Sequence, residues 1–217
     1  MDSRPSSMMP RSARIALGAS AIAAFALFLL LGWYVTRAGE PAPLVAFDHV
    51  SVNHAALLAF WVTHACYPSV LAPLGVVLLV LAWRFPTWRV RILFSLAMLL
   101  LCWRGADFFQ HVFARPRRMD WVLIHERSFS FPSSHASISL GFYGLWALFI
   151  WQSGVRARAW IALVLSALVV AIYWSRLALG AHYATDLLGG ALLAIALVLA
   201  GAALLTIKVL GSAHSEP

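Results

Sequence analysis

Long apolar runs alternate with short polar connections along nearly the whole chain. A helix needs about 20 mostly apolar residues to cross a bilayer, and most of these runs approach or reach that length. We therefore expect an all-α integral membrane protein with six transmembrane helices. The predicted spans are roughly Ile15 to Val35, Ser69 to Trp83, Ile92 to Phe113, His135 to Trp151, Ala159 to Trp174 and Ala184 to Ile207.

The segment between the first two spans, Ala55 to Cys66, is apolar and aromatic but short for a crossing. It is typical of a short interfacial or re-entrant helix. Pro68 and Pro73 follow it, and proline breaks or kinks a helix because it lacks a backbone N–H group. We therefore predict a break before the second span.

The first apolar run follows three Arg, as in a secretory signal peptide, but no small-residue cleavage site follows it. We therefore predict an uncleaved first span. The expected organisation is a cytoplasmic tail at 1–14, a single six-helix membrane domain at 15–208 and a C-terminal tail at 209–217.

Composition agrees with a membrane protein. The chain is 62% hydrophobic and 11% charged, with a mean hydropathy of +0.84, which excludes a soluble globular protein. The net charge of +8 is scattered between apolar runs, so it indicates membrane orientation and an anionic substrate, and no nucleic-acid partner is expected. Cys66 and Cys102 lie inside apolar runs and are interpreted as packing residues.

Orientation follows from the basic residues, which are enriched in cytoplasmic connections. If the six spans alternate, both termini and most basic residues outside the polar motifs lie on one side of the membrane. We therefore expect a multi-pass protein of the bacterial inner (plasma) membrane whose polar motifs face the periplasm or exterior. The residues on the cytoplasmic side are Arg4, Arg11, Arg14, Arg84, Arg89, Arg91, Arg156, Arg158 and Lys208, against Arg37 on the other.

The connection before the sixth span carries Ser175, Arg176, His182 and Asp186. His182 and Asp186 are four residues apart and share a helix face, so the carboxylate can fix the imidazole tautomer and leave one nitrogen as a nucleophile. The alternative is a structural His–Asp pair that caps a helix. Arg176 can bind phosphate oxygens, or it can extend toward the membrane interface.

The fourth span opens with Pro132, Ser133, Ser134 and His135. A serine cap leaves backbone N–H groups at the positive end of the helix dipole, which is an anion site, and His135 can act there as a general acid. The alternative is an ordinary helix start.

A third cationic cluster, Arg115, Arg117 and Arg118, follows the third span and can bind phosphate or anchor lipid headgroups. The occurrence of all three segments on one membrane face favours a phosphate site. Accessory roles in gating or headgroup binding are considered for Asp107, His111, Asp120, His125 and Glu126.

These residues resemble the motifs of the type 2 phosphatidic acid phosphatase family, relatives of the vanadium-dependent haloperoxidases. That pattern is Lys-x6-Arg-Pro, Pro-Ser-Gly-His and Ser-Arg-x5-His-x3-Asp. The third motif is complete here, and the second has Ser134 in place of Gly. The resemblance implies that His182 is the nucleophile of a phosphohistidine mechanism, that Asp186 orients it and that His135 protonates the leaving group, without a metal or other cofactor.

The resemblance also implies a phosphate-binding set, although the first motif departs from the pattern. One alignment makes Arg117 the motif Arg, with Gln110 at the Lys position and Arg118 replacing the final Pro; the other uses Arg115 and puts Phe108 at the Lys position. Both lack the Lys, whose charge Arg118 or Arg104 could restore. The predicted phosphate-binding residues are Arg176, Arg117, Arg115, Ser133, Ser134 and Gln110.

We therefore expect a membrane lipid phosphatase that acts on a phosphate ester or diphosphate of a phospholipid or isoprenoid lipid. Undecaprenyl diphosphate is the first choice, because an outward-facing site suits recycling of a carrier lipid; phosphatidylglycerol phosphate, phosphatidic acid and lipid A phosphate stay open. The alternatives are a phosphotransferase of the same family and, less favoured, a non-catalytic lipid-binding or transport protein. A metal site formed by His135, His182 and Asp186 is less favoured again.

Overall fold

The computed structural model describes residues 9–51, 55–117 and 128–205, and this part of the chain is helical and contains no strand. Nine α-helices follow one another within these ranges. They are α1 (Arg11–Ala38), α2 (Ala42–Ser51), α3 (Ala56–Thr63), α4 (Pro68–Arg84), α5 (Pro86–Phe113), α6 (Ser134–Ile138), α7 (Leu145–Trp151), α8 (Arg158–Ala178) and α9 (Ala184–Leu205). A 3₁₀ turn at His64–Cys66 extends α3, and a π-helical segment at Ser139–Gly144 joins α6 to α7.

Within the described residues, α1, α5, α8 and α9 are each long and apolar enough to cross a membrane. The pair formed by Ala56–Cys66 and Pro68–Arg84 passes the same criteria together and bends by 40°, which makes up to five spans. An all-α membrane protein is therefore confirmed. The count of six stays a prediction, although residues 134–151 are helical without interruption at the position of the fourth predicted span.

The short helix between the first two spans is present as α3, and the predicted break falls at Tyr67, before Pro68. Pro68 opens α4 at a position where the missing N–H costs nothing, because the first helical N–H groups have no partner inside the helix. Pro73 lies inside α4. Helix α2 was not foreseen, because its apolar stretch is short and contains Asp48.

Helices α4 and α5 extend past the ends of their apolar runs. Nε of Arg89, in the first turns of α5, donates to the carbonyl of Ala82 near the end of α4, at 3.1 Å. This bond satisfies a carbonyl that the helix itself leaves open, so a tight turn at Phe85 is sufficient to connect the two helices. Hydropathy alone places the start of α5 too late because this turn is polar.

Two glycines of α9 allow the connection before α6 to approach the helix backbone. A Cβ atom on Gly189 would come within 2.3 Å of the Phe131 ring, and one on Gly190 within 2.5 Å of the carbonyl oxygen of Ser133. Phe131 also stacks on Phe28 of α1, with ring centroids 5.6 Å apart. This packing places the start of α6 beside the start of α9.

Candidate active site

The first turn of α9 and the connection before it hold the predicted His–Asp pair. His182 is almost completely buried, and its Nδ1 lies 3.3 Å from Oδ2 of Asp186. With a proton on Nδ1 for this bond, Nε2 keeps its lone pair and can accept from Nη1 of Arg117, 3.3 Å away. Both nitrogens of the ring therefore have defined partners.

Burial is the largest influence on the protonation of His182. It lowers the pKa of His182 to about 4, and the charge of Arg117 acts in the same direction. The hydrogen bond to Asp186 raises the pKa but does not compensate for the burial. The imidazole is neutral at pH 7, which is the form that a nucleophile requires.

Asp186 is fully buried, and its carboxylate accepts hydrogen bonds from four groups. Oδ1 accepts from Nη1 of Arg115 at 2.6 Å, and Oδ2 accepts from the hydroxyl of Ser130 and from the backbone N–H of Tyr183 at 2.9 Å as well as from His182. These donors fix the carboxylate in position and compensate its charge.

Arg115 is buried and directed at protein groups. Besides Asp186, its guanidinium donates to the hydroxyl of Thr185 at 2.8 Å and to Oε2 of Glu40 at 2.9 Å, and it lies 4.2 Å from the centre of the Tyr183 ring. Burial lowers the pKa of Arg115, but the two carboxylates outweigh that effect and the net direction is upward. Its predicted part in phosphate binding stays a prediction.

Arg117 lies on the other side of His182, toward Nε2. Its remaining donors bind backbone and hydroxyl oxygens: Nη1 to Ala181 at 2.6 Å, Nε to the carbonyl of Ser128 at 2.6 Å, and Nη2 to Phe129 at 3.1 Å. Of the two alignments of the first motif, the one that uses Arg117 therefore has its Arg beside Nε2 of His182. Arg118 lies outside the described residues, as do Asp120, His125, Glu126 and Lys208.

Arg176 reaches the site from the last turn of α8. It is fully buried, and its Nη1 donates to the hydroxyl of Thr63 at the end of α3 at 2.9 Å. Its charge is close enough to His182 to contribute to lowering the pKa of that ring. Thr63 thus links the short helix α3 to the cationic site.

The start of α6 has the predicted cap. The hydroxyl of Ser133 accepts from the N–H of Ala136 at 3.4 Å, and the N–H of Ser133 donates to the backbone carbonyl of Asp186 at 3.0 Å. The side chain of His135 is buried, and its Nε2 has no hydrogen-bond partner among the described residues. Its ring packs edge-on against Tyr67, with centroids 5.3 Å apart.

A cavity of about 500 Å³ runs between α4 and α5 and ends at the start of α6. Apolar side chains such as Leu79 and Leu100 line its length, and Ser134 and His135 line its end. The cavity therefore connects an apolar surface to the polar cluster.

Three residues of α5 that the sequence singled out bond to protein groups. Gln110 is buried, and its Nε2 donates to the carbonyl of Pro132 at 2.9 Å, so it binds the connection before α6. Asp107 forms an exposed ion pair with Arg104 at 3.4 Å. Nδ1 of His111 bonds to the carbonyl of Asp107 at 2.8 Å within the same helix. Arg104 is therefore paired on the surface of α5.

Sequence reasoning missed four polar residues of this cluster, Glu40, Thr63, Ser130 and Thr185, and one carboxylate outside it, Asp48, which caps α9. The two carboxylates had a usable signal, because the whole chain contains 8 acidic residues and both interrupt the apolar region after the first span. The three hydroxyl residues had none, since Ser and Thr are common in apolar helices. Within the described ranges, no group of three or more His, Cys, Asp or Glu is arranged to hold a metal ion.

The chain belongs to the PAP2 superfamily, whose model matches residues 90–208. This confirms the family resemblance drawn from the motifs. A solved structure with the same fold is a transmembrane PAP2-type phosphatidylglycerolphosphate phosphatase from Bacillus subtilis; the similarity covers 90% of this chain and 99% of that one at 23% identity, with a TM-score of 0.70. A search of curated proteins found no match.

Proposed function

From its membership of the PAP2 superfamily, we propose that this protein is a membrane lipid phosphatase in which His182 accepts the phosphoryl group before water releases it. The observation that carries the proposal is the pair of contacts on one ring, Nδ1 to Asp186 and Nε2 to Arg117, each at 3.3 Å. They provide an oriented, neutral nucleophile beside a cation that can bind phosphoryl oxygens.

In the first step, Nε2 of His182 bonds to the terminal phosphorus while the bond from phosphorus to its leaving oxygen breaks; that oxygen is the bridging oxygen of a diphosphate or the ester oxygen of a monophosphate. Protonated His135 donates its proton to that leaving oxygen. In the second step, water attacks the phosphohistidine, its proton passes to His135, and the phosphorus–nitrogen bond breaks to release inorganic phosphate. Arg117 and Arg176 stabilise the charge on the three oxygens that phosphorus keeps throughout.

The cavity between α4 and α5 supports a lipid as the substrate. It is lined by apolar side chains and ends at Ser134 and His135, so a lipid chain lying in it would place its phosphate end beside the polar cluster. The substrate named for the Bacillus subtilis structure is also a phosphorylated lipid.

Undecaprenyl diphosphate is the substrate we propose first, with phosphatidylglycerol phosphate and phosphatidic acid as the next candidates. The choice depends on the proposed topology, in which the basic connections are cytoplasmic and the site faces the periplasm of a bacterial inner membrane. Reporter fusions at Arg158 and Glu126 test this topology. A cytoplasmic Glu126 would contradict it.

A lipid phosphotransferase is a second candidate, for one specific reason. Gln110 occupies the position of the family's Lys, and its amide is engaged by the Pro132 carbonyl. The site therefore has one positive charge fewer with which to bind the phosphoryl group while water attacks the phosphohistidine. Transfer to the hydroxyl or phosphate of a second lipid would use the same phosphohistidine.

The test is phosphate release from the three lipids by the purified protein, without added metal, beside His182→Ala. His111→Ala is the matched control, since that exposed imidazole bonds to a carbonyl of its own helix. We expect release that His182→Ala abolishes and His111→Ala leaves within about twofold. Radioactive phosphate bound to the protein, stable to base and lost in acid, would identify the phosphohistidine.

Three other outcomes of this test would contradict the proposal or favour an alternative function. Release that persists in His182→Ala would refute the nucleophile. Product that forms only when an acceptor lipid is present would favour the phosphotransferase. Absence of both reactions, together with lipid binding that does not require His182, would favour a binding or transport protein.

A further inference from the structure

The short connection between α1 and α2 brings Glu40 into contact with the candidate active site. Its side chain is 2% exposed, and both carboxylate oxygens accept hydrogen bonds. Oε2 accepts from Nη2 of Arg115 at 2.9 Å and from the hydroxyl of Thr185, and Oε1 accepts from the backbone N–H of Thr185 at 3.2 Å. Glu40 lies outside residues 90–208, where the family model matches.

The hydrogen bonds among Glu40, Arg115 and Thr185 form a closed ring with one possible direction. Arg115 has only donors, so the Thr185 hydroxyl accepts from its Nη1 at 2.8 Å and must use its own proton for Glu40. Glu40 is therefore the acceptor of every bond that it makes in the ring. An ionised carboxylate fits this role, and an amide does not fit it equally well.

Arg115 is shared between two carboxylates. One amino group of its guanidinium bonds to Asp186 and the other bonds to Glu40. Because the surroundings are buried, these charges act strongly on one another. Without Glu40, the full positive charge of Arg115 would act on Asp186, and Asp186 would attract the proton on Nδ1 of His182 less strongly.

We propose that Glu40 is a positioning residue for the nucleophile: by taking part of the charge of Arg115, it keeps Asp186 a strong acceptor for His182. This role rests on the proposed function for its effect on turnover. It acts through Arg115 and Asp186, and Glu40 itself touches neither the substrate nor the reacting nitrogen.

Other charged groups act on His182 or lie around it, and the test must separate Glu40 from them. Arg117 after α5, Arg176 on α8 and Asp186 on α9 act on the pKa of His182 directly, and His135 on α6 is its charged neighbour. Arg115 bonds to Asp186, His64 after α3 acts on His135, and Asp48 on α2 bonds to the backbone of Ala184. None of these residues changes in a Glu40→Gln variant.

The experiment compares Glu40→Gln with Asp48→Asn. Asp48 is a matched control because it is also a buried carboxylate on the segment after α1 and also caps α9, accepting from the N–H of Ala184 at 3.2 and 3.3 Å. Two readouts are used. The first is kcat and KM for phosphate release, and the second is the histidine NMR spectrum of ¹⁵N-labelled protein, with His182 assigned from its loss in His182→Ala.

In Glu40→Gln we expect kcat to fall by about tenfold or more, with KM unchanged, since a hydrogen bond to a charged group is being weakened. Removing a negative charge disfavours the imidazolium, so His182 should titrate at lower pH than in the wild type. At pH 7, the Nδ1 proton should resonate at higher field, because its bond to Asp186 is weaker. Asp48→Asn should change neither the Nδ1 resonance nor kcat by more than about twofold.

The NMR readout keeps this proposal separate from the proposed function. If the wild type releases no phosphate from any lipid but Glu40→Gln still shifts the Nδ1 proton of His182, the phosphatase assignment fails and the positioning role holds. An unchanged Nδ1 resonance in a folded Glu40→Gln variant would overturn the positioning role. So would an equal shift in Asp48→Asn, because anchoring of the segment would then explain both.

Discussion

Replacing Asp186 by Asn tests the arrangement around His182, the proposed nucleophile, most directly. The substitution keeps the shape of the side chain but turns one acceptor oxygen into an NH₂ donor. Oδ2 now accepts from Ser130, His182 and Tyr183, and Oδ1 accepts from Arg115. Whichever way the amide is turned, its NH₂ group therefore faces a group that was donating to it.

The two orientations have different costs. With NH₂ toward Arg115, a buried guanidinium loses one of two carboxylates; breaking a buried pair costs about 3–5 kcal/mol, and Glu40 should keep the loss near the low end. With NH₂ toward His182, Nδ1 must become the acceptor and the proton moves to Nε2. That nitrogen then faces Arg117 as a donor and cannot attack phosphorus.

We expect the second orientation, because the His182 ring can change tautomer whereas Arg115 has only donors. It should reduce kcat by about 10⁴-fold, the loss associated with a wrong imidazole tautomer. The assay is phosphate release by purified protein, with thermal unfolding followed in the same detergent. Asp107→Asn is the control, since its ion pair with Arg104 is exposed and such pairs contribute about 0–1 kcal/mol. It should leave kcat and the unfolding temperature nearly unchanged.

Two results would refute this reasoning. The first is an Asp186→Asn protein that keeps more than about a tenth of the wild-type kcat, because the carboxylate would then not set the tautomer. The second is an unchanged unfolding temperature, because the buried contacts of Asp186 with its four donors would then contribute nothing to the fold.

Three further outcomes are expected. The rate at low substrate concentration, kcat/KM, should fall as the pH drops below about 4, because His182, with its pKa near 4, must be neutral to attack. Arg117→Ala should raise KM and move this fall to higher pH, since removing a nearby positive charge raises the pKa of His182. Gly190→Ala should lower stability by about 1–3 kcal/mol, measured by thermal unfolding, because its Cβ would meet the Ser133 carbonyl at 2.5 Å.

Each of these outcomes has a control or a contrary result. Gly18→Ala places a Cβ where no atom lies within 4 Å, so it should not destabilise the protein. Equal losses in the two glycine variants would contradict the packing argument. A fall in kcat/KM at the same pH with and without Arg117 would mean that another group controls the acidic limb.

The hydrophobic pattern was sufficient to predict an all-helical membrane protein, because the cost of burying polar backbone in lipid leaves a helix as the direct solution for each long apolar run. It also located α3 and the break before Pro68. It did not locate α2 or the polar first turns of α5, because short helices and helix ends depend on tertiary contacts such as that of Arg89 with Ala82.

For the candidate active site, too, the sequence predicted one part and the tertiary structure decided the rest. Spacing predicted the contact between His182 and Asp186 and the cap at Ser133. The shared helix face was wrong, because His182 lies in the connection before α9 and its contact with Asp186 depends on how that connection folds. Only the tertiary structure distinguished Arg115, which binds two carboxylates, from Arg117, which lies beside Nε2 of His182. The two Arg are two residues apart and chemically identical, so their difference arises from the groups placed around them by the start of α9 and by the connections after α1, before α6 and before α9. Glu40 became visible for the same reason: its partners lie 75 and 145 residues away along the chain.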